Sequence, residues 1–253
     1  MKKIFFIFFI LLIASCVLIY NVNNNPARII SRISKKENTR YNRLKYRIYL
    51  LGILPVAEAE ICEQGIEEYT GKRVYHFSAE AHSLKAVGLF FKGSAFLDSY
   101  IDPEGLSPVL FKQRITILGR NDINKEVIYN QAEGVMSING LRRQIFPNTQ
   151  DPLSAIFNLR RIDFDKIKNL EIGLNTNQKN YILRGKFEGK NVQVNKKAHK
   201  VILVAANIQR RDNNPYHKSS ISMVLWQEKE NAPILIKVFA SGILINARLI
   251  DAE

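Results

Sequence analysis

The sequence predicts a mainly β protein, folded as a single antiparallel sheet that is strongly curved or closed into a partly open β-barrel. Three observations favour this fold class. Apolar and polar residues alternate with a period of two in one segment after another, as in half-buried strands. Short turn signals separate about a dozen such segments. Only one stretch, near residues 152–161, has the pattern of a capped helix, which we expect to cover the sheet.

Residues 1–16 have the plan of a secretory signal peptide. Lys2 and Lys3 are followed by the apolar run Ile4–Leu12, and small residues stand directly before Cys16. Ile13–Cys16 also resembles the bacterial lipobox, which implies that Cys16 is diacylated and becomes the new N-terminus. We therefore expect an exported protein, anchored to a membrane and facing the periplasm or cell envelope.

An uncleaved anchor is the alternative reading of the same segment. Ile4–Tyr20 is apolar throughout most of its length, and as a helix it would span about 25 Å against a hydrocarbon core of about 30 Å. The basic residues that follow it count as a cytoplasmic signal, which leaves the orientation of an uncleaved anchor open. Both readings predict a membrane tether.

Residues 17–40 are predicted to be a basic tether. The whole chain carries a net charge of +14, and eight basic residues lie between Arg28 and Arg47 against the single acid Glu37. Such a run beside an apolar segment contacts anionic lipid headgroups or is a solvated linker. The candidate membrane-surface residues are Arg28, Arg32, Lys35 and Lys36. Ile29, Ile30 and Ile33 could form an apolar patch on the bilayer.

A high pI is also typical of nucleic-acid-binding proteins. No stretch of the sequence resembles a known nucleic-acid module, so no nucleic-acid partner is expected. The composition, with 46% hydrophobic and 24% charged residues, is that of a globular protein. It excludes a chain that is disordered along its whole length. With no internal repeat and no second boundary, residues 41–253 are predicted to form one β-rich domain.

The first group of strands precedes the helix. Leu44, Tyr46 and Ile48 alternate with Lys45 and Arg47, which is the period of a half-buried strand. Asn139-Gly140 is a strong two-residue hairpin signal. The predicted strands are Leu44–Leu50, Ala57–Ile61, Val74–Ser83, Phe96–Ile101, Val109–Leu118, Val127–Tyr129, Val135–Ile138 and Leu141–Phe146.

The helix has a clear start signal. Asp151 is a good N-cap and Pro152 falls at the first helical position, where its missing N–H costs nothing. Leu153, Ile156 and Phe157 form an apolar stripe at helical spacing. This stripe must lie on the sheet or plug an open barrel, so the three residues are candidates for a lid over a ligand.

The second group of strands follows the helix. A fully apolar run at Val201–Ala206 predicts a central strand, and Glu188–Asn191 is predicted to be a tight turn. The strands are Leu170–Leu174, Tyr181–Phe187, Val192–Val194, Val201–Ala206, Ser220–Trp226, Ile234–Phe239 and Ile243–Ile250.

The sequence contains no convincing catalytic or metal-binding constellation. His76 and His82 share a strand face but lie about 20 Å apart, too far to chelate one ion. Glu58 and Glu60 face Lys45 and Arg47, which favours cross-strand ion pairs over acid–base chemistry. We expect no metal, no cofactor and no enzymatic activity. If Cys16 is acylated, Cys62 has no disulfide partner within the chain.

Four stretches together resemble a family of bacterial exported proteins known as domain of unknown function 3108. The most specific is Gln150–Arg160, and the others are Leu44–Ala57, Ser99–Phe111 and the closing segment with Leu225-Trp226, Pro233-Ile234 and Gly242–Leu249. The resemblance implies an exported β-rich protein, often with a signal peptide or lipid anchor. The architecture it implies is similar to the open β-barrel of bacterial lipoprotein-localisation carriers. It implies no activity.

Three hypotheses about function remain at this point. The first is a non-catalytic, membrane-tethered envelope module that binds an apolar or amphipathic ligand, such as a lipid or a lipoprotein. The second is a structural or scaffolding envelope protein whose core is solid. The third is an enzyme that acts on an envelope polymer, which would need a cleft containing a carboxylate or histidine of perturbed pKa.

Overall fold

The computed structural model describes residues 24–33, 42–87, 92–176, 179–211 and 219–253. Its 14 strands, numbered β1 to β14 in chain order, form one fully antiparallel sheet. Their order across the sheet is β8-β7-β6-β5-β4-β3-β2-β1-β14-β13-β12-β11-β10-β9. Every neighbour in this order is also a neighbour in sequence except β1 and β14, which pair in the middle of the sheet. The predicted single antiparallel sheet of about a dozen strands is therefore confirmed.

The sheet curls but is not closed. Within the described chain no ladder joins the edge strands β8 and β9. Instead, Gln150 forms a single parallel bridge with Leu174 of β9, and the side chain of Asn180 donates to the carbonyl oxygen of Gln144 in β8 at 2.9 Å. These contacts bring the two edges together, so the predicted partly open barrel describes the molecule.

The elements of the first half are α1 (Pro26–Ile33), β1 (Arg43–Leu50), β2 (Leu54–Tyr69), β3 (Lys72–Ser83), β4 (Gly93–Ile101), β5 (Pro108–Ile117), β6 (Ile123–Asn130), β7 (Val135–Ile138) and β8 (Leu141–Gln144). Those of the second half are α2 (Pro152–Arg161), β9 (Leu170–Thr176), β10 (Lys179–Val194), β11 (Lys197–Arg210), β12 (Ser219–Trp226), a 3₁₀ turn (Gln227–Lys229), β13 (Ala232–Ala240) and β14 (Ile243–Ala252).

The turn predictions succeed at one hairpin and fail at another. Asn139 and Gly140 both have positive φ, as a type I′ turn requires, and they join β7 to β8. The predicted turn at Glu188–Asn191 is wrong, because β10 continues through it and pairs with β11 from Tyr181 to Val194. The chain reverses at Asn195 and Lys196, both with positive φ.

Gly185 in β10 is required by a close approach between strands. A Cβ atom at this position would lie 2.6 Å from the Cβ of Ala206 and 2.7 Å from the carbonyl oxygen of Ala205. Glycine within a strand often marks such an approach. The sequence Gly185–Lys190, with its two glycines, therefore belongs to strand β10 rather than to a turn.

Register divides the sheet into an inner and an outer face. Tyr46 of β1 pairs with Ala59 of β2, and Ala59 pairs with Ala81 of β3. The same row continues through Ala95 of β4 to Ile115 of β5. Since directly paired residues share a face, these side chains all lie on the inner face, toward helix α2.

The two ends of the sheet follow from the strand directions. We call the upper end the one that carries the β1–β2, β3–β4, β5–β6 and β13–β14 connections. The lower end carries the β2–β3, β4–β5, β6–β7 and β12–β13 connections.

Helix α2 packs against the inner face of the lower half. It contacts β3, β4 and β9. The Phe157 ring lies 5.3 Å from that of Tyr75 and 5.6 Å from that of Phe77, and Leu153 is also part of this core. The predicted single helix that covers the sheet is confirmed in its position and bounds, with Asp151 as N-cap.

Helix α1 was not predicted, because the composition of residues 17–40 indicated a basic tether. Its Ile29, Ile30 and Ile33 are at most 7% exposed and belong to the core. Contacts with β10, β13 and β14 hold the helix against the sheet. The expectation that these isoleucines lie on a bilayer is therefore wrong: they pack on the protein's own strands, where apolar burial is available without a membrane.

Candidate functional site

An apolar pocket lies on the inner face at the upper end of β1–β5. Its volume is about 380 Å³. Small side chains leave this space: Ala57, Ala81 and Ala95 stand on three neighbouring strands, with Ile115 beside them. The pocket is lined by Leu50, Val56, Ala57, Ala81, His82, Ser83, Val87, Gly93, Ser94, Ala95, Ile115, Thr116 and Ile117.

A second pocket adjoins the first along Ile115. It has a volume of about 290 Å³ and lies against the start of helix α2. Gln113, Lys125 and Asn175 give it a polar side. Its remaining lining residues are Leu97, Phe111, Val127, Tyr129, Ile138, Pro152 and Thr176. The two pockets therefore place an apolar compartment next to a compartment with polar groups.

Helix α2 forms the floor of this space rather than a lid. Phe157 is fully buried and Leu153 is 3% exposed, and neither lines either pocket. Ile156 is half-buried and also lines neither one. Among these helix residues only Pro152 touches the second pocket. The prediction that Leu153, Ile156 and Phe157 cover a ligand is therefore corrected. Their apolar stripe packs against β3 and β4 instead.

Asp151 is fully buried at the start of α2. Its carboxylate accepts hydrogen bonds from the backbone amides of Leu153 and Ser154, at 2.7 and 2.9 Å, and from the Ser99 hydroxyl at 2.6 Å. Ser154 in turn accepts from the Asp151 amide at 2.9 Å, which completes a capping box. Burial raises the pKa of Asp151 to about 6, although these hydrogen bonds oppose the rise.

These contacts fix the roles of Asp151 and Ser154. All of the carboxylate's observed partners belong to the helix start and to β4, and Asp151 lines neither pocket. Ser154 is fully buried and serves the cap. Asp151 therefore holds α2 against β4, and its perturbed pKa is a consequence of burial rather than a sign of catalysis.

Arg160 anchors the other end of α2. Its guanidinium lies 3.4 Å from Glu230 and 4.0 Å from Glu63, and only 2% of the side chain is exposed. Arg161 pairs with Glu63 at 2.8 Å. Burial lowers the pKa of Arg160, while the neighbouring carboxylates oppose the change. These ion pairs tie the helix to β2 and to the β12–β13 connection.

The outer face carries the predicted cross-strand ion pairs. Glu58 pairs with Arg47 and lies 3.5 Å from Lys45, and Glu60 lies 3.1 Å from Arg43. Cys62 stands in the same strand and is half-buried.

The histidines on this face also have partners of their own. His76 contacts Glu67 at 2.8 Å and Asp98 at 2.9 Å and stacks on Tyr100, and His82 pairs with Glu80. Among the described residues, no cluster of His, Cys, Asp and Glu is arranged to hold a metal ion.

The remaining predicted site residues lie at the N-terminus. Arg28 and Arg32 are exposed on α1. Cys16, Lys35 and Lys36 lie outside the described residues, as does the proposed signal segment. In the part of the chain that the structure describes, no helix is both long enough and apolar enough to cross a bilayer.

The pocket residues were missed because nothing in the sequence separates an alanine in a packed core from an alanine that lines a cavity. Ala57, Ala59, Ala79 and Ala81 alternate with charged or polar residues in the sequence and share the inner face of the sheet. Their small size, repeated on adjacent strands, was the one available signal. A row of small residues on an inner face leaves room that large residues would fill.

Comparison with solved structures shows the fold class. The chain is similar to the crystal structure of a beta-barrel-like protein of the DUF1849 domain of unknown function from Brucella abortus, with a TM-score of 0.58, 10% sequence identity, and coverage of 85% of this chain and 99% of that one. A putative exported protein with a YmcC-like fold from Bacteroides fragilis gives a TM-score of 0.34 at 10% identity, covering 85% of this chain and 97% of that one.

Among proteins with curated descriptions, none matches the sequence. A family model matches residues 45–242, which is most of the chain. The match includes Ser99–Phe111 and Gln150–Arg160 and ends at the first residue of Gly242–Leu249. The protein therefore belongs to the DUF3108 family of proteins of unknown function.

Proposed function

We propose that the protein is an exported, membrane-tethered module that binds one apolar or amphipathic ligand, a lipid or the lipid part of a lipoprotein, and performs no chemistry on it. The observation that carries this proposal is the alanine-lined pocket on the inner face, about 380 Å³ in volume. Ligand pockets in proteins have volumes of about 300–1,000 Å³ and are mostly apolar with a few polar groups.

The adjoining pocket supports an amphipathic ligand. An alkyl chain in the alanine-lined pocket would place a polar group near Gln113, Lys125 and Asn175, across Ile115. The N-terminal apolar segment Ile4–Tyr20 and the lipobox-like Cys16 support the tether. Exposed Arg28 and Arg32, together with Lys35 and Lys36 in the sequence, add positive charge beside it.

A catalytic role has less support. Within the described chain the titratable residues that line the two pockets are His82, Lys125 and Tyr129, and no carboxylate accompanies them. His82 already pairs with Glu80 on the outer face. Hydrolysis of an envelope polymer would need a paired acid and base within reach of the substrate.

The test is to fill the pocket. Ala81 and Ala95 are directly paired across β3 and β4, so Ala81→Leu combined with Ala95→Leu places two larger side chains at one point of the lining. We expect this double variant to lose most of its binding of a fluorescent fatty-acid probe while its melting temperature stays near that of the wild type. Probe binding is measured by titration of the full chain in detergent.

Ala205→Leu is the matched control, because Ala205 is exposed on the outer face and lines neither inner pocket. The control should bind the probe like the wild type. A wild type that binds no probe, or a filled variant that binds it undiminished, would contradict the proposal. The first result favours the scaffolding protein with a solid core.

A further inference from the structure

Exposed apolar side chains lie at the upper end of the sheet, next to residues that line the alanine-lined pocket. Leu118 is 74% exposed in the β5–β6 turn, and Leu51 is 59% exposed in the β1–β2 turn. We define the upper rim as Leu51, Ile53, Leu54, Leu118, Ile243 and Ile245, all of which are exposed. Isolated exposed apolar residues are ordinary, but a contiguous group at the opening of a pocket marks an interaction surface.

Backbone hydrogen bonds join two turns of the rim to neighbouring strands. The Leu51 amide donates to the carbonyl oxygen of Leu244 at 2.7 Å, which joins the β1–β2 turn to the start of β14. The Leu118 amide donates to the carbonyl oxygen of Lys92 at 2.8 Å, which joins the β5–β6 turn to the start of β4. Each of these two turns is therefore bonded to the start of a neighbouring strand.

Charge differs between the two ends of the sheet. The described parts of the upper connections contain Lys85, Lys92 and Arg120, all exposed, against the single acid Asp122. The lower connections from β4 to β7 and from β12 to β13 contain five acids and one basic residue. These are Asp102, Glu104, Glu133, Glu228, Glu230 and Lys229. The connections at the apolar end are thus the more basic ones, and this combination of apolar and cationic groups suits an anionic bilayer surface.

The N-terminal segment joins the folded domain near the same end. The side-chain oxygen of Asn24 accepts from Nε of Arg248 at 2.9 Å, and Nη2 of Arg248 donates to the carbonyl oxygen of Gly52 at 2.6 Å. Asn24 is therefore one side chain away from the β1–β2 turn. Asn24 lies eight positions after Cys16, and a stretch of that length reaches at most about 29 Å. A lipid on Cys16 would keep the upper end close to the membrane.

We propose that the upper rim docks on an anionic phospholipid bilayer, with Leu51, Leu54 and Leu118 at the acyl-chain boundary and Lys85, Lys92 and Arg120 at the headgroups. The mouth of the pocket then opens onto the bilayer, so a lipid passes between membrane and pocket without crossing water. The transfer of lipid rests on the proposed function, whereas the docking stands on the rim, the charges and the position of Asn24.

Tryptophan quenching by brominated lipid tests the docking. The single native tryptophan, Trp226, is 1% exposed and lies at the lower end, so it supplies a shielded baseline. The full chain with Leu118→Trp is reconstituted into phosphatidylcholine–phosphatidylglycerol vesicles whose acyl chains carry bromine. We expect the added tryptophan to lose most of its emission. Glu104→Trp, in the lower β4–β5 turn, should keep its emission.

Two triple variants test whether docking needs the positive charges of the upper end. Lys85→Gln, Lys92→Gln and Arg120→Gln together should restore much of the Leu118→Trp emission in these vesicles. Removing the same charge from the lower end with Lys72→Gln, Arg73→Gln and Lys197→Gln should leave the quenching in place. High salt should act as the upper-end triple does, because it screens attraction to the headgroups.

Quenching of Leu118→Trp that is no greater than that of Glu104→Trp would overturn the docking. So would a blue-shifted but unquenched emission, which would mean that a second copy or another protein covers the rim. The two proposals fail separately. If the protein docks on vesicles but the wild type binds no fatty-acid probe, the ligand-binding proposal is wrong and the docking proposal stands. If the wild type binds the probe but Leu118→Trp is not quenched, the docking proposal is wrong and the ligand-binding proposal stands.

Discussion

Asp151 shows how one residue connects the helix to the sheet. Its carboxylate caps α2 and accepts from Ser99 in β4, so losing it would affect both elements. Burial in this position raises its pKa to about 6, and the same charge helps to raise the pKa of Tyr129, although burial is the larger cause there. The residue is therefore a source of pH-dependent stability.

We expect Asp151 to make the protein more stable at mildly acidic pH than at neutral pH. Its pKa is about 6 in the folded protein against an ordinary value of 3.8, so the folded state holds the proton more tightly. The resulting stabilisation is complete below the lower value and is lost as the pH rises through about 6. A shift of this size corresponds to about 3 kcal/mol.

Asp151→Asn isolates this contribution, because asparagine is also a good N-cap but does not titrate. The free energy of unfolding, from urea titrations between pH 4.5 and 7.5, should fall with pH by more in the wild type than in the variant. The comparison is needed because the lowered pKa values of Glu58 and Glu228 act in the opposite direction. Parallel pH profiles would show that Asp151 does not titrate in this range.

At the scale of elements, helix α2 is a packed floor. Leu153 and Phe157 belong to the core shared with β3, whereas Leu159 belongs to a second core with Phe164 and Leu170. The helix thus joins two apolar clusters under the pocket. Its stability should follow the rules of core packing rather than those of a mobile lid.

Phe157→Ala should therefore destabilise the protein by about 3–5 kcal/mol, the usual cost of emptying a packed aromatic site. Ile156→Ala is the control on the same helix, and its cost should be smaller because Ile156 is half-buried. Both values come from urea unfolding of the full chain. A cost at Phe157 no larger than that at Ile156 would mean that the helix covers an open space, as the sequence first indicated.

The elements also show how far sequence reasoning reaches. The cap and the bounds of α2 were predictable because Asp151 and Pro152 act locally. The long strand β10 was not, since Gly185 and Gly189 look like turn residues until the neighbouring strand is known. Helix α1 was not predicted because its basic residues indicated a tether. Its three isoleucines pack on strands that lie far along the chain. Long-range packing decided each of these failures.

At the scale of the whole molecule, the strand order explains why a cavity remains. Because β1 pairs with β14, the sheet consists of two meanders joined at its centre. The segment from α2 to β9 packs on the inner face of the sheet, both at its lower end and along strands β9 to β13. Leu159, Phe164 and Leu170 make this contact. The alanine rows of β2, β3 and β4 lie above that filling. The sequence indicated a curved sheet and a covering helix, but the unfilled volume depends on where the helix lies.

The most direct test of the central proposal is native mass spectrometry of the full chain extracted from bacterial envelopes. We expect a population whose mass exceeds that of the processed protein by one lipid. This added mass should survive removal of the detergent and should be missing from the variant with Ala81→Leu and Ala95→Leu. Protein that carries no added lipid in any preparation, or equal lipid on the filled variant, would contradict a ligand in the alanine-lined pocket.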